Sequence, residues 1–324
     1  MQQFRIKRNI TSIAYAAGQS VPFEMPRGND YESLTLRLSG SLVVTAAGAA
    51  VRSEAPAQLV PRIEITSDGR NSIYSAPFWY GAYAHHDLAP NSQQAQNISV
   101  PPTAAAIATY PVEATSVISF NIPDGERQKD SNLVTIGMSL FTLRLTFGQP
   151  TDVLTGAPAA TFIGSVDVLS SEIVESVDPA TGKRTMPSAF RKTTLLEQLV
   201  AATTANHEIL LPAGNLIKSV MLRSEGALTA GEPGTGVLNN VQLVSNTDVR
   251  VSMKAAALRA ENAHLFGWLK NGYYVIDLSR NAGLARLTEL WDVTQQAQPK
   301  VISDVTVGAA TTKIQAVVTE FLKA

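Results

Sequence analysis

Apolar and polar residues alternate with a period of two over much of the chain. In SLTLRLSGSLVV (33–44), Leu34, Leu36 and Leu38 point one way, while Thr35 and Arg37 point the other. The same alternation recurs in IEITS, VISFNI, FTLRLTF and SVDVLS, and later in SVMLRS, VQLVS, YYVIDLS and TKIQAVV. Turn-forming residues separate these runs: Pro26 to Asn29, Asp68-Gly69, Pro123 to Gly125, Asp178 to Gly182, and Pro212 to Asn215. Short strands between regular turn signals predict a mainly β chain of the sandwich kind.

One strand pattern occurs twice. MPRGNDYESLTLRLSGSL (25–42) aligns without a gap on LPAGNLIKSVMLRSEGAL (211–228), 186 residues further on. Pro26, Gly28, Asn29, Ser33, Leu36, Arg37, Gly40 and Leu42 match Pro212, Gly214, Asn215, Ser219, Leu222, Arg223, Gly226 and Leu228. Composition alone would give about one identity in such a stretch. Upstream, Phe4-Arg5 matches Phe190-Arg191; downstream, LVPRIEITS (59–67) matches VLNNVQLVS (237–245) at an offset of 178, and His86 then faces His264. TLRLTF (142–147) is set against LARLTE (284–289), which implies roughly 36 extra residues in the first copy. A period this long points to a duplicated domain, not a solenoid.

A helix is predicted at one place in each copy, after the fourth strand. SAPFWYGAYAHHDL (75–88) and the Ala- and Leu-rich SMKAAALRAENAHLFGWLK (252–270) each follow a hairpin, giving equivalent helices over 76–88 and 254–268. Residues 89–115, polar and containing Pro101-Pro102, read as a long excursion projecting from the first copy alone. The domains are then 1–172, a linker over 173–189, and 190–324.

Composition narrows the function. The chain has 324 residues, enough for two domains, and a net charge of −1, which gives no field for nucleic acid. Charged residues are only 16%, against a typical value near 25%, as expected of a surface covered by partners. With no cysteine, disulfides, thiolate catalysis and Cys-based zinc sites are excluded, which fits synthesis in a reducing cytoplasm. MQQFRIKRNI lacks an apolar signal core, and no apolar run approaches the roughly 18 residues that span a bilayer, so neither secretion by that route nor membrane insertion is expected.

No catalytic constellation emerges. His85 and His86 are adjacent and point about 100° apart on a helix; with His207 and His264 they read as structural or surface residues. No G-x-S-x-G is present, and ATGKRT (180–185) lacks the first glycine of a phosphate loop. Asp124, Glu126 and Asp130 lack calcium-loop spacing and read as a solvated hairpin tip, so a structural cation such as calcium has no support and no cofactor is expected. In the repeated motif, Gly28 and Gly214 suit a turn with positive φ, and Gly40 and Gly226 suit a bulge or a close backbone approach. Arg37 and Arg223 lie on the face opposite the leucines, where a carboxylate, a neighbouring subunit or solvent can take them. Arg5, Lys7 and Arg8 form a basic cluster suited either to edge-strand protection or to an anionic lipid surface on the inside of a shell.

The twin PxGN…SxxLRxxGxL motifs, the hairpin strands after them and the twin helices resemble the double jelly-roll major capsid proteins. Residues 8–40 and 54–73 are similar in particular to coat proteins of tailless, membrane-containing bacteriophages of the corticovirus-like group, in the tectivirus and adenovirus lineage. The resemblance implies two tandem eight-stranded jelly rolls. It also implies homotrimers of nearly hexagonal outline that tile an icosahedral virion shell after synthesis in a bacterial host, without catalysis. Implied partners are the chain itself, penton or minor capsid proteins, and an internal viral membrane. An alternative is a phage spike or another carbohydrate- or receptor-binding β-sandwich, which needs an exposed aromatic platform; Phe78-Trp79-Tyr80-Tyr83 is the candidate, although its helical spacing favours a core. A jelly-roll glycoside hydrolase would need two opposed carboxylates, and no pair stands out.

Overall fold

A computed structural model describes residues 4–46, 50–83, 107–121, 132–155, 159–174, 189–226, 232–246, 248–266, 270–278, 290–296, 298–308 and 312–323. The first half builds strands β1 (Phe4–Ala14), β2 (Ser20–Glu24), β3 (Asp30–Val44), β4 (Arg62–Ser67), β5 (Asn71–Ala76), β6 (Ala108–Ser119), the two-residue β7 (Leu133–Val134), β8 (Phe141–Thr146) and β9 (Ala160–Val174). Helix α1 (Ala55–Gln58) precedes β4, and α2 (Phe78–Tyr83) follows β5. The second half repeats this order. Its strands are β10 (Ala189–Val200), β11 (Thr204–Leu210), β12 (Leu216–Ser224), β13 (Leu238–Ser245) and β14 (Asp248–Lys254). Helix α3 (Ala255–Phe266) comes next, then β15 (Tyr273–Asp277), the short β16 (Trp291–Asp292), β17 (Lys300–Val305) and β18 (Thr312–Lys323).

Each half is a jelly roll of eight principal strands in two facing sheets. In the first, β1-β9-β3-β6 faces β2-β8-β4-β5; in the second, β10-β18-β12-β15 faces β11-β17-β13-β14. Alternating side chains fill the space between. Leu34, Leu36, Leu38, Ile63, Ile65, Leu143 and Leu145 are buried in the first roll, and Val220, Leu222, Val241, Leu243 and Val301 in the second. The rolls are not separate sheets side by side. β5 pairs in parallel with β10 through Tyr74 and Thr193, which fuses one sheet of each roll into a single sheet.

Four expectations are corrected. The helix of each copy follows the fifth strand, not the fourth. Short β2 and β11 are mostly exposed and carry little apolar signal, so the alternation passes over them. The helices also match at an offset of 177. Ile63 pairs with Ala76 and Val241 with Met253, because the hairpin turn of the second copy is one residue shorter. The counterpart of β8 is β17, not 284–289, which lies outside the described residues. Ile63 faces Leu145, and Val241 faces Ser303. The first copy is thus 19 residues longer from Ala76 to Leu145 than the second is from Met253 to Ser303, and the whole surplus falls between helix and next strand. Finally, residues 108–115 of the expected excursion belong to β6 and pair with Val44 to Arg37. Pro111 hid the first part of this strand, whose end lies in the VISFNI run; β6 is a sheet edge, where proline is tolerated. Residues 89–106 of that excursion, and 175–188 of the linker, lie outside the described residues.

Candidate functional site

The repeated motif builds the same device twice. Gly28 and Gly214 take φ of 115° and 91° in the turn that delivers the chain into β3 and β12. The following asparagine then reaches a buried glutamate on the last strand of its roll. Asn29 Nδ2 donates to Glu172 Oε2 at 2.7 Å, and Asn215 Nδ2 donates to Glu320 Oε2 at 2.5 Å. The first strand supplies a second donor at equivalent positions: Arg8 Nε to Glu172 at 3.0 Å, and Thr194 Oγ1 to Glu320 at 2.8 Å. Both motif strands also carry one extra residue opposite this glutamate, Glu32 and Lys218, where the pairing slips between Tyr31 and Ser33 and between Ile217 and Ser219. Burial alone would raise the Glu172 carboxyl; hydrogen bonds from Ser170, Asn29 and Arg8 outweigh it and hold the pKa below the usual carboxylate value. Sequence reasoning missed both glutamates. Their signal was the hydroxyl-Glu pair Ser171-Glu172 and Thr319-Glu320 near the end of each copy.

The motif arginines part company. Arg37 stays half-exposed on the outer face of β3 and donates through Nε to Glu113 Oε1 at 2.6 Å. Arg223 is buried at the joint between the rolls. Its Nη2 lies 2.7 Å from Oε2 of Glu54, just before α1 in the first roll, and its Nη1 donates to Glu225 and Gln315. Tyr273 donates its hydroxyl to the same Glu54. Burial works against the Arg223 charge, but Glu54 and Tyr273 more than compensate and raise its pKa. Lys270, beside this cluster, is pushed down by burial.

Around the ion pair, the joint is apolar and aromatic. Met221, Tyr273, Val275 and Val317 of the second roll belong to the hydrophobic core of the first. Trp79 of α2 packs edge-on against Tyr273 at 5.0 Å and donates to Gln315 at 3.3 Å; Tyr80 meets Thr319 at 2.7 Å. Trp79 and Tyr80 are therefore buried in this joint, Phe78 is buried in the core of the first roll, and the three do not form an exposed platform.

The Pro26 carbonyl accepts from the Tyr31 hydroxyl, and Pro212 leads into the equivalent turn. Gly40 lies in β3, where a Cβ would collide with the Ile163 carbonyl and the Phe162 ring. Gly226 lies just beyond β12 with looser surroundings, the Glu232 carbonyl standing 3.3 Å from where its Cβ would be. Arg5 and Arg8 strap β1 down through ion pairs with Glu32 and Glu172; Lys7 is exposed. His207 has Nε2 buried without a hydrogen bond, and burial lowers its pKa, while His264 is exposed on the last turn of α3. His85, His86, Asp124, Glu126, Asp130 and residues 180–185 lie outside the described residues. Among the described residues no group of three His, Asp or Glu is placed to hold a metal, and no helix is long and apolar enough to cross a membrane.

No protein-family model matches the chain, and no curated protein matches it. Solved structures do. The chain is similar to the STIV major capsid protein, with 15% identity and a TM-score of 0.75 over 98% of this chain and 96% of that one. It is also similar to the major capsid protein P2 of bacteriophage PM2, with 14% identity and a TM-score of 0.61 over 99% and 98%. A third is the PBCV-1 virus capsid, with 12% identity and a TM-score of 0.61 over 99% and 94%. The fold is a double jelly roll, and it is shared along 94–98% of each of these chains.

Proposed function

We propose that this chain is a major capsid protein, a structural subunit that forms homotrimers and tiles the icosahedral shell of a virion. The observation that carries the reading is the end-to-end agreement with capsid subunits, 98% of this chain against 96% of the STIV protein, which leaves no described segment for a separate activity. Support also comes from the joint. The strands joined there, β5 and β10, have counterparts in β14 and β1, which are sheet edges among the described residues, so a similar strand-to-strand contact can be made between chains. Function then resides in interfaces, and no reaction is required.

Vertex or minor capsid proteins, an internal membrane and synthesis in a bacterial host belong to the same proposal; direct nucleic-acid binding does not, given the net charge of −1. Negative-stain microscopy with light scattering of the purified chain tests it. Three-fold particles of nearly hexagonal outline are expected, with subunit interfaces above about 2,000 Å². A stable monomer at micromolar concentration overturns the trimer, and a monomer with sugar affinity favours the receptor-binding alternative.

A further inference from the structure

Helices α2 and α3 start at equivalent residues, Phe78 and Ala255, and then diverge. At the 177-residue offset Ala256 stands where the first copy has Trp79, Lys254 where it has Pro77, and Arg259 where it has Ala82. Trp79 fills the joint between the rolls, and a methyl group at Ala256 fills far less. Beside α3 this leaves a cavity of about 470 Å³. It is lined by Lys254, Ala256 and Arg259 and by Thr235, Asn239 and Tyr274. Lys254, Ala256, Thr235 and Asn239 are exposed, so the cavity opens to solvent. Its size lies within the roughly 300–1,000 Å³ of small-molecule sites.

The charge on this lining has one sign. No Asp or Glu lines the cavity, and among the described residues neither Lys254 nor Arg259 has a carboxylate partner. Elsewhere in the molecule Arg5, Arg8, Arg37, Arg62, Arg223 and Arg250 each have one, so two bare cations on one cavity depart from the pattern of this low-charge chain. Arg259 Nη2 donates to Asn271 Oδ1 at 2.6 Å, which steadies the guanidinium and leaves Nε and Nη1 to donate. Asn239 Nδ2 donates to Thr306 Oγ1 at 2.7 Å, so its Oδ1 is left to accept. We infer that this cavity binds a small organic anion, its carboxylate or phosphate taken by Lys254 and Arg259 and its hydroxylated body by Thr235 and Asn239. A bare inorganic anion would bring no donor to Asn239 Oδ1 and would leave the apolar surface of Ala256 uncovered, whereas a sugar-sized ring meets both. One chain holds the whole site, so binding does not require the trimer.

The test is isothermal titration calorimetry of the full chain with glucuronate and with glucose-6-phosphate, glucose being the neutral control. At least one of the two anions should bind saturably, and glucose at least about ten-fold more weakly, because it lacks the charge-assisted hydrogen bonds. Whichever anion binds more tightly identifies the head group that the two cations take. Lys254→Gln and Arg259→Gln should each weaken binding at least about ten-fold. Ala256→Trp, which restores the residue of the first copy, should abolish binding by filling the cavity. Arg250→Gln, whose side chain pairs with Asp248 away from the cavity, should change nothing. Circular dichroism melts check that each variant folds, and the two Gln variants decide the matter if Ala256→Trp does not. No saturable binding of either anion up to about 10 mM overturns the site. Binding that all variants share, or glucose bound as well as the anions, overturns it equally. Charge variants that shift the oligomeric state and leave anion binding intact also overturn it, since the cavity is then a contact between copies.

Discussion

β3 and β12 carry the same motif, the same slip in register and the same buried glutamate partner, yet only one of them has a solvent face. In β3, Leu34, Leu36, Leu38 and Leu42 are buried while Arg37 is exposed. In β12 every residue is buried, polar ones included. The inward faces are alike because each roll must fill its own core. The outward faces differ because the first roll covers the second, and no described segment covers Arg37 on the first. What buries Arg223 is Glu54 of the neighbouring roll rather than its own sheet. Low charge along the sequence is thus partly spent at an internal interface.

The strongest way to break this comparison is to remove one member of the buried pair. Glu54→Ala or Arg223→Ala should cost about 3–5 kcal/mol in urea unfolding, because the survivor is left charged and desolvated. Arg37→Ala in the monomeric chain should cost no more than about 1 kcal/mol, since its ion pair is exposed. Equal losses would mean that the two outer faces do not differ energetically.

Next come the glutamates at the two turns. Glu172→Ala and Glu320→Ala should each cost about 1–3 kcal/mol, since each strands buried donors. The two values should be close to one another, because this part of the device is shared. A large gap between them would show that the duplication no longer holds at the level of energy.

A smaller contrast concerns the paired glycines. Gly40→Ala drives a methyl group into the backbone of β9 and should cost about 1–3 kcal/mol. Gly226→Ala meets its nearest atom at 3.3 Å and should cost clearly less by thermal melting.

The smallest effect expected is one of pH. The folded pKa of Glu172 lies below its ordinary value, so its contribution is present above the usual carboxylate pKa of about 4.3 and is lost as pH falls through the lower folded value. The stability gap between wild type and Glu172→Gln should therefore narrow between neutral pH and about pH 3. A gap that widens on acidification would reverse the assigned direction.

Much of this was legible in the residues. The gap-free match from Pro26 to Leu42 located equivalent strands, and the glycines announced their positive φ. The FTLRLTF alternation placed Phe141, Leu143, Leu145 and Phe147 in the core, where they are buried. The misses have physical causes. The first part of β6 was masked by Pro111, because an edge strand tolerates a residue that a central strand rejects. The hairpin lost one residue without losing hydrophobic periodicity, so the helix offset looked like 178 instead of 177. Glu172 and Glu320 were overlooked because a lone polar residue near a strand end has no periodic signature. Only their hydrogen-bond partners, 143 and 105 residues away, reveal them.

The sequence by itself determined the duplication, the inward-facing half of the strands that alternate clearly and the turns into β3 and β12, since these follow from local periodicity and from conformations that only certain residues adopt. The tertiary structure decided which of two equivalent arginines is buried, which edges are joined and which remain open. Glu54 and Arg223 lie 169 residues apart. No local pattern encodes their meeting, because burial of an outer face depends on what is laid against it, and that is settled only when the two rolls dock.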